Sequence, residues 1–299
     1  MALVPFNDLM SRATKGDYAV GYFESWNLES LQAVGDAAES MGSPVILGFS
    51  GIYLPHPSRT AKETLSVYAA LGLEICRSLS VPSCLLFNES PHLDWVSEAI
   101  DLGFGLVMYT DEKLSFEEQS QRVRGIVDQA HQQGVAVEGE ITSLPGVGGE
   151  LSAAPEENCL DDPEVAQSFV ESTHVDAFAV NIGQAHLHGR SEVQLDLHRL
   201  RELREKISVP LVLHGATSIS ESDLKNAIRL GVRKINVGSV LKRSFFEAIR
   251  SACSRVGEGY NPYEVVGSGF EKDVLNCGRA ALQRKVEDLM TIFGSAGRG

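Results

Sequence analysis

Residues 210–239 read PLVLHGATSISESDLKNAIRLGVRKINVGS. The run at 210–215 is short, rich in Leu and Val, and does not alternate with polar residues, as expected of a parallel strand buried on both faces. Ser220 precedes Asp223 at capping-box-like spacing, a helical pattern fills 220–230, and Gly231 sits where a helix C′ residue belongs. A second apolar run follows at 234–238. The same strand–helix alternation extends towards the N-terminus, with apolar runs at 18–23, 44–49, 83–88, 105–110, 135–141 and 177–183. Amphipathic patterns lie between them at 27–41, 115–134, 163–172 and 197–207. In the first of these, Leu28, Leu31, Val34 and Ala38 share a face; in the second, Phe116, Val123, Ile126 and Val127 do, and Gly134 closes it. Eight strand–helix repeats predict a (β/α)8 TIM barrel. The alternative, an open doubly wound sheet, lacks its usual support because no GxGxxG follows the first run.

The chain has 299 residues and a formal charge of −14 from 40 acidic and 26 basic side chains. At about 150 residues per domain the length admits two domains, but one barrel fills it equally well. The repeat predicts a single domain over 1–299, with the barrel over 16–253 and a helical tail over 254–299 whose helix covers 272–293. Hydrophobic residues at 43% exclude a disordered chain. The acid excess argues against a nucleic-acid partner, and no apolar stretch is long enough to span a membrane. The N-terminus has no apolar run after a basic start, so no signal peptide is expected. Cys76, Cys84, Cys159, Cys253 and Cys277 are odd in number and form no CxxC, which predicts reduced thiols in a cytoplasmic protein and no cysteine zinc site.

Barrel chemistry sits at the C-terminal strand ends. Those ends carry Glu24, Ser50, Asn88-Glu89-Ser90, Thr110-Asp111, Glu138 and Glu140, Asn181 with Gln184, His186 and His188, then His214 and Asn236. Glu89, His186 and His214 form a set of two imidazoles and one carboxylate, suited to a divalent metal such as zinc, manganese or cobalt with positions left open for substrate. Gly215 and Thr217, with Gly238 and Ser239, predict a phosphate cradle of backbone N–H groups and hydroxyls at strands seven and eight. The histidines at 56, 92, 131, 174 and 198 fall in loops or on helix faces, and packing is the expected role of Trp26 and Trp95.

The chain resembles the class II, metal-dependent fructose- and tagatose-bisphosphate aldolases. The matching segments are GDYAVGYF at 16–23, NLESLQ at 27–32, SPVIL at 43–47, GVAVEGE at 134–140, VNIGQAH at 180–186, PLVLHGA at 210–216, KINV at 234–237 and Leu241-Lys242. The resemblance implies an aldolase working through a metal-stabilised enediolate, with zinc, or else manganese or cobalt, as cofactor. It implies a phosphorylated ketose or dihydroxyacetone-phosphate-like substrate and a homodimer or homotetramer. It also implies that His186 and His214 are metal ligands, that Glu138 serves a second metal position, and that Gly215, Thr217, Asn236, Gly238 and Ser239 hold substrate.

The third strand departs from the resemblance. The family has His-Leu-Asp-His-His where this chain has Leu86-Phe87-Asn88-Glu89-Ser90. Asn88 replaces the proton-transfer Asp, and an amide does not exchange a proton as a carboxylate does. Glu89 replaces a ligand His, and Thr110 stands where the family has a metal-binding Asp. Asn88 is then expected to orient a substrate hydroxyl. Glu140, Glu150, Glu24 and Asp111 become candidates for moving protons, with Glu150 favoured by its place on the loop after strand five. Two alternatives fit the same departure: a sugar-phosphate epimerase or isomerase using the same enediolate, and a non-catalytic sugar-phosphate-binding subunit.

Overall fold

The computed structural model describes residues 2–144, 160–185 and 193–299. Eight parallel strands close into a barrel in chain order: β1 (Val20–Glu24), β2 (Val45–Ser50), β3 (Ser83–Ser90), β4 (Leu106–Tyr109), β5 (Ala136–Gly139), β6 (Ala177–Val180), β7 (Leu211–Leu213) and β8 (Val232–Val237). The helices are α1 (Phe6–Gly16), α2 (Leu28–Met41), α3 (Leu65–Ser78), α4 (Leu93–Asp101), α5 (Phe116–Gln132), α6 (Pro163–Thr173), α7 (Leu197–Lys206), α8 (Glu221–Arg229), α9 (Ser239–Ser254), α10 (Pro262–Val265) and α11 (Val274–Phe293). This is the (β/α)8 barrel with C-terminal helices that the repeat predicts. No helix among the described residues is long and apolar enough to cross a membrane.

The strands read as unbroken apolar runs because both faces are covered. Val20, Tyr22, Ile46, Leu86, Leu106, Met108 and Val212 point into the barrel, while Phe23, Leu47, Leu85, Phe87 and Val107 pack outward with the helices. Helix α1 seals the interior: Phe6, Leu9, Met10 and Ala13 are buried with the inward-facing set. Local signals set the helix starts. Asn27 and Ser30 cap α2 reciprocally, Ser115 and Glu118 cap α5, Asp162 with Pro163 opens α6, and Ser220 accepts from the Asp223 N–H. The tail is packed as part of the barrel wall. Phe293 of α11 stacks on Phe23 of β1 at 6.2 Å, its carbonyl accepts the Ala19 N–H at 3.1 Å, and Arg279 Nε donates to Asp36 on α2 at 2.7 Å.

One irregularity shapes the site. The β3–β4 register shifts between Phe87 and Ser90, and Glu89 adopts the left-handed conformation with φ of +52°. A bulge at the end of a barrel strand re-aims a side chain, and a non-glycine residue held at positive φ stores strain that functional sites commonly tolerate. The two residues that depart from the family motif, Asn88 and Glu89, sit on this bulge.

Candidate active site

Six side chains from β3, β5, β7 and β8 form a closed ring at the C-terminal mouth. His214, just past β7, has Nε2 2.7 Å from Glu138 Oε1 and Nδ1 3.2 Å from Glu89 Oε1. Glu138 Oε2 pairs with the Lys234 ammonium at 2.8 Å. Lys234 also donates to Asn236 Oδ1, Asn236 Nδ2 lies 3.4 Å from Asn88 Oδ1, and Asn88 Nδ2 donates to Glu89 Oε2 at 2.6 Å. The lysine donates only, so it fixes the amide orientation of Asn236, and Asn236 in turn fixes that of Asn88. Asn236 Nδ2 is also 2.9 Å from His214 Nε2, but that nitrogen's proton points to the closer Glu138 carboxylate.

Burial sets the electrostatics. Burial pushes the His214 imidazole down, but Glu89 and Glu138 outweigh it and hold the ring up at about 10. Burial pushes Glu138 up, and the Lys234 ammonium and His214 overcome this, leaving it below the usual carboxylate range. Glu140, just past β5, also feels the His214 cation, but burial outweighs it and the Glu89 carboxylate adds to the rise. Glu140 is 4% exposed, its Oε1 accepts from Thr110 Oγ1 at 2.6 Å and Ser143 Oγ at 3.0 Å, and burial raises it to about 7. Thr110 therefore holds the Glu140 carboxyl at the position where the resemblance has a metal-binding Asp.

The ring opens onto a cavity of about 650 Å³. His214, Gly215, Thr217, Asn236, Gly238 and Ser239 all line it, so the residues expected to hold substrate are brought to one place. Gly215 takes φ of +68° to turn the chain from β7 into the short 3-10 turn Ala216–Ser218. Gly238 lets Glu24 approach closely: a Cβ there would lie 2.3 Å from Glu24 Oε2 and would push that carboxylate aside. Ser239 opens the 16-residue α9, so a helix N-terminus, the end where negative charge is favoured, borders the cavity.

Glu138 is placed differently from the expectation of a second metal position. Both its oxygens are engaged, one by Lys234 and one by His214, and the side chain is fully buried. Glu24 pairs with Lys242, whose ammonium lies 4.9 Å from the Tyr53 ring centre and 5.5 Å from that of Trp26. Trp26 thus lines the cavity, whereas Trp95 stacks on Phe87 in the core. His186, His188 and Glu150 lie outside the described residues. Sequence reasoning missed Lys234, Lys242 and Arg59. The first two belong to segments already quoted, KINV and Leu241-Lys242, where the motif was visible and the side-chain roles were not. Arg59 lies in a stretch after β2 with no periodicity to mark it.

Asp161 was also missed. It is 1% exposed, and its Oδ2 accepts the Asn181 N–H at 2.7 Å. Burial raises it to about 7 from an ordinary 3.8, so the folded protein binds a proton that the unfolded chain has released. Stability from this group is present below pH 4 and is lost as pH rises towards 7. Asp161→Asn should match the wild type near pH 4 and exceed it by up to about 4 kcal/mol at pH 8, measured by urea unfolding across that range. A constant difference at all pH values would remove the titration from the explanation.

The sequence profile of the family described as "Fructose-bisphosphate aldolase class-II" matches residues 4–298. The chain belongs to that family. A sulfofructosephosphate aldolase from Alkalicoccus urumqiensis is 29% identical over 296 residues, covering 99% of this chain and 98% of its own. The crystal structure of the YdjI aldolase from Escherichia coli K12 superposes with a TM-score of 0.79 at 27% identity, over 99% of this chain and 98% of that one. A putative fructose-1,6-biphosphate aldolase from Coccidioides immitis reaches a TM-score of 0.80 at 23% identity over 97% and 96%, and supports the fold alone. This class II aldolase is therefore an aldolase-type lyase with the barrel of its relatives. Class II aldolases generally depend on a divalent metal and act on phosphorylated sugars.

Proposed function

We propose that the chain catalyses reversible aldol cleavage of a phosphorylated ketose or related sugar derivative, with a divalent metal, zinc first among the candidates, held by His214, Glu89 and His186. The observation that carries this reading is the 3.2 Å separation of Glu89 Oε1 from Nδ1 of His214, a residue that lines the cavity. Two ligand atoms at about 2.0–2.1 Å from a tetrahedral zinc lie about 3.3 Å apart, so the donor pair fits the ion. A divalent metal bound there would supply Lewis-acid polarisation of the substrate carbonyl and favour the negative charge that develops on it. Glu138 takes the Nε2–H and leaves Nδ1 as the nitrogen presented to the metal, the arrangement by which a carboxylate orients a ligand histidine. Asn88 orients a substrate hydroxyl. Glu140, raised to about 7 by burial, is suited to exchanging a proton near neutral pH, and Glu150 is its partner candidate on the following loop. Gly215, Thr217, Gly238 and Ser239 hold the phosphate at the α9 N-terminus, and Asn236 positions the adjoining part of the substrate.

The test is turnover by metal-free and metal-loaded protein on fructose 1,6-bisphosphate, tagatose 1,6-bisphosphate and, because of the Alkalicoccus relative's name, sulfofructose phosphate. Metal-dependent release of dihydroxyacetone phosphate from at least one is expected. No cleavage of any by loaded protein overturns the reading. Asn88 favours a second outcome, since no carboxylate stands at its position. Solvent deuterium entering one substrate carbon without cleavage would make the reaction an epimerisation.

A further inference from the structure

The end of β1 carries two hydroxyls that nothing above uses. Tyr22 and Ser25 both line the cavity, and each is 2% exposed. Neither the Tyr22 phenol oxygen nor the Ser25 Oγ has a hydrogen-bond partner. Buried hydroxyls are nearly always paired, because leaving one unpaired costs stability. Two of them opening on one cavity, from one strand end, suggest that the partner arrives with the ligand.

Their setting limits what that partner can be. Tyr22 is in register with Asn236 on β8, the residue that touches His214 and reaches Asn88. The Lys234 ammonium lies 5.2 Å from the Tyr22 ring centre. Burial, followed by the nearby carboxylates Glu24, Glu89 and Glu138, keeps the phenol protonated and therefore a donor. A phosphate dianion would be repelled by those three carboxylates, and the α9 N-terminus already offers it a better place. A neutral oxygen, such as a sugar hydroxyl or carbonyl, suits the site.

We propose that the Tyr22 and Ser25 hydroxyls form a subsite for the hydroxylated carbon chain of the substrate, each hydrogen-bonding one of its hydroxyl groups. This rests on the aldolase reading and adds to it a contact surface on β1, the strand beside β8.

The experiment compares wild type, Tyr22→Phe and Ser25→Ala as metal-loaded full-length protein. Steady-state kinetics are run on the ketose phosphate that the wild type cleaves and on its deoxy analogues, each lacking one hydroxyl. Thermal unfolding is measured on the metal-free forms. Each variant should lose about tenfold in kcat/KM on the hydroxylated substrate. On the deoxy analogue that lacks the contacted hydroxyl, variant and wild type should be equal. The unfolding temperature of each variant should stay level or rise by roughly 2 °C, because an unpaired buried polar group has been removed. Unchanged kcat/KM in both variants, in an active wild type, overturns the subsite and leaves the aldolase reading intact. An equal loss on every deoxy analogue overturns it in favour of packing. A loaded wild type that cleaves nothing overturns the aldolase reading and this inference with it.

Discussion

His214→Ala should abolish stoichiometric divalent-metal binding and reduce aldol turnover by at least about a thousandfold, the size of effect expected when several kcal/mol of Lewis-acid stabilisation are lost. His214 is 2% exposed, and its two ring nitrogens bridge Glu89 and Glu138, so no neighbouring imidazole among the described residues is placed to take over. Metal analysis of purified protein and kinetics on the same sample check this. Retained metal in the variant would return His214 to a structural role. His131→Ala is the control: His131 is half-exposed, pairs with Asp176 at 2.9 Å, and should leave both readouts unchanged. In the metal-free protein the imidazole is held up at about 10, so loading must displace its Nδ1 proton. Apparent metal affinity should therefore rise with pH, and proton release should accompany binding in weakly buffered solution.

Lys234→Met should destabilise the fold by about 3–5 kcal/mol, because removing one partner of a buried pair leaves the other charge uncompensated. Lys234 and Glu138 are both 0% exposed and 2.8 Å apart. His214 still holds one oxygen of Glu138, but the other loses its cation, and Asn236 loses the donor that fixes its amide. The pH dependence carries a sign. In the wild type Glu138 is held below its ordinary value, mainly by Lys234 once burial is overcome. Without Lys234, burial raises it, and a raised carboxyl favours the fold only while protonated. The deficit of the variant should be smallest below pH 4 and grow as pH rises from there. Glu138→Gln in the Lys234→Met background should recover part of the loss near neutral pH, since it removes the buried charge. Urea unfolding of the three variants beside the wild type measures both effects. A deficit that is flat with pH, with no recovery in the double variant, would leave only lost packing as the cause.

The barrel was legible because parallel strands covered on both faces leave continuous apolar runs, and those runs lie close to the observed strands. Where they differ, the reason is local. The run at 210–215 shortens to Leu211–Leu213 because His214 and Gly215 turn into the site, and β3 lengthens to Ser90 through its bulge. Helices α1, α3, α4, α9 and α10 were not assigned from the pattern. That Gly215, Thr217, Gly238 and Ser239 would line one cavity was legible because glycines and hydroxyls at strands seven and eight have a general use in barrels. Lys234 was visible only as a letter within KINV. Nothing in periodicity says that a lysine in an apolar strand points into the barrel towards a carboxylate on β5.

By itself the sequence determined the repeat, the strand ends on which polar residues stand, and the departures Asn88, Glu89 and Thr110. These follow from local properties: side-chain period, turn residues and residue identity. The tertiary structure alone decided how those residues are used. It closed the sheet so that β8 lies beside β1, which set Tyr22 against Asn236 and Lys242 against Glu24. It turned Glu89 to positive φ towards His214, and it buried Glu138 between a lysine and an imidazole. Contacts between residues 76 to 218 positions apart are fixed by barrel closure and burial, and neither is written in any one stretch of the chain.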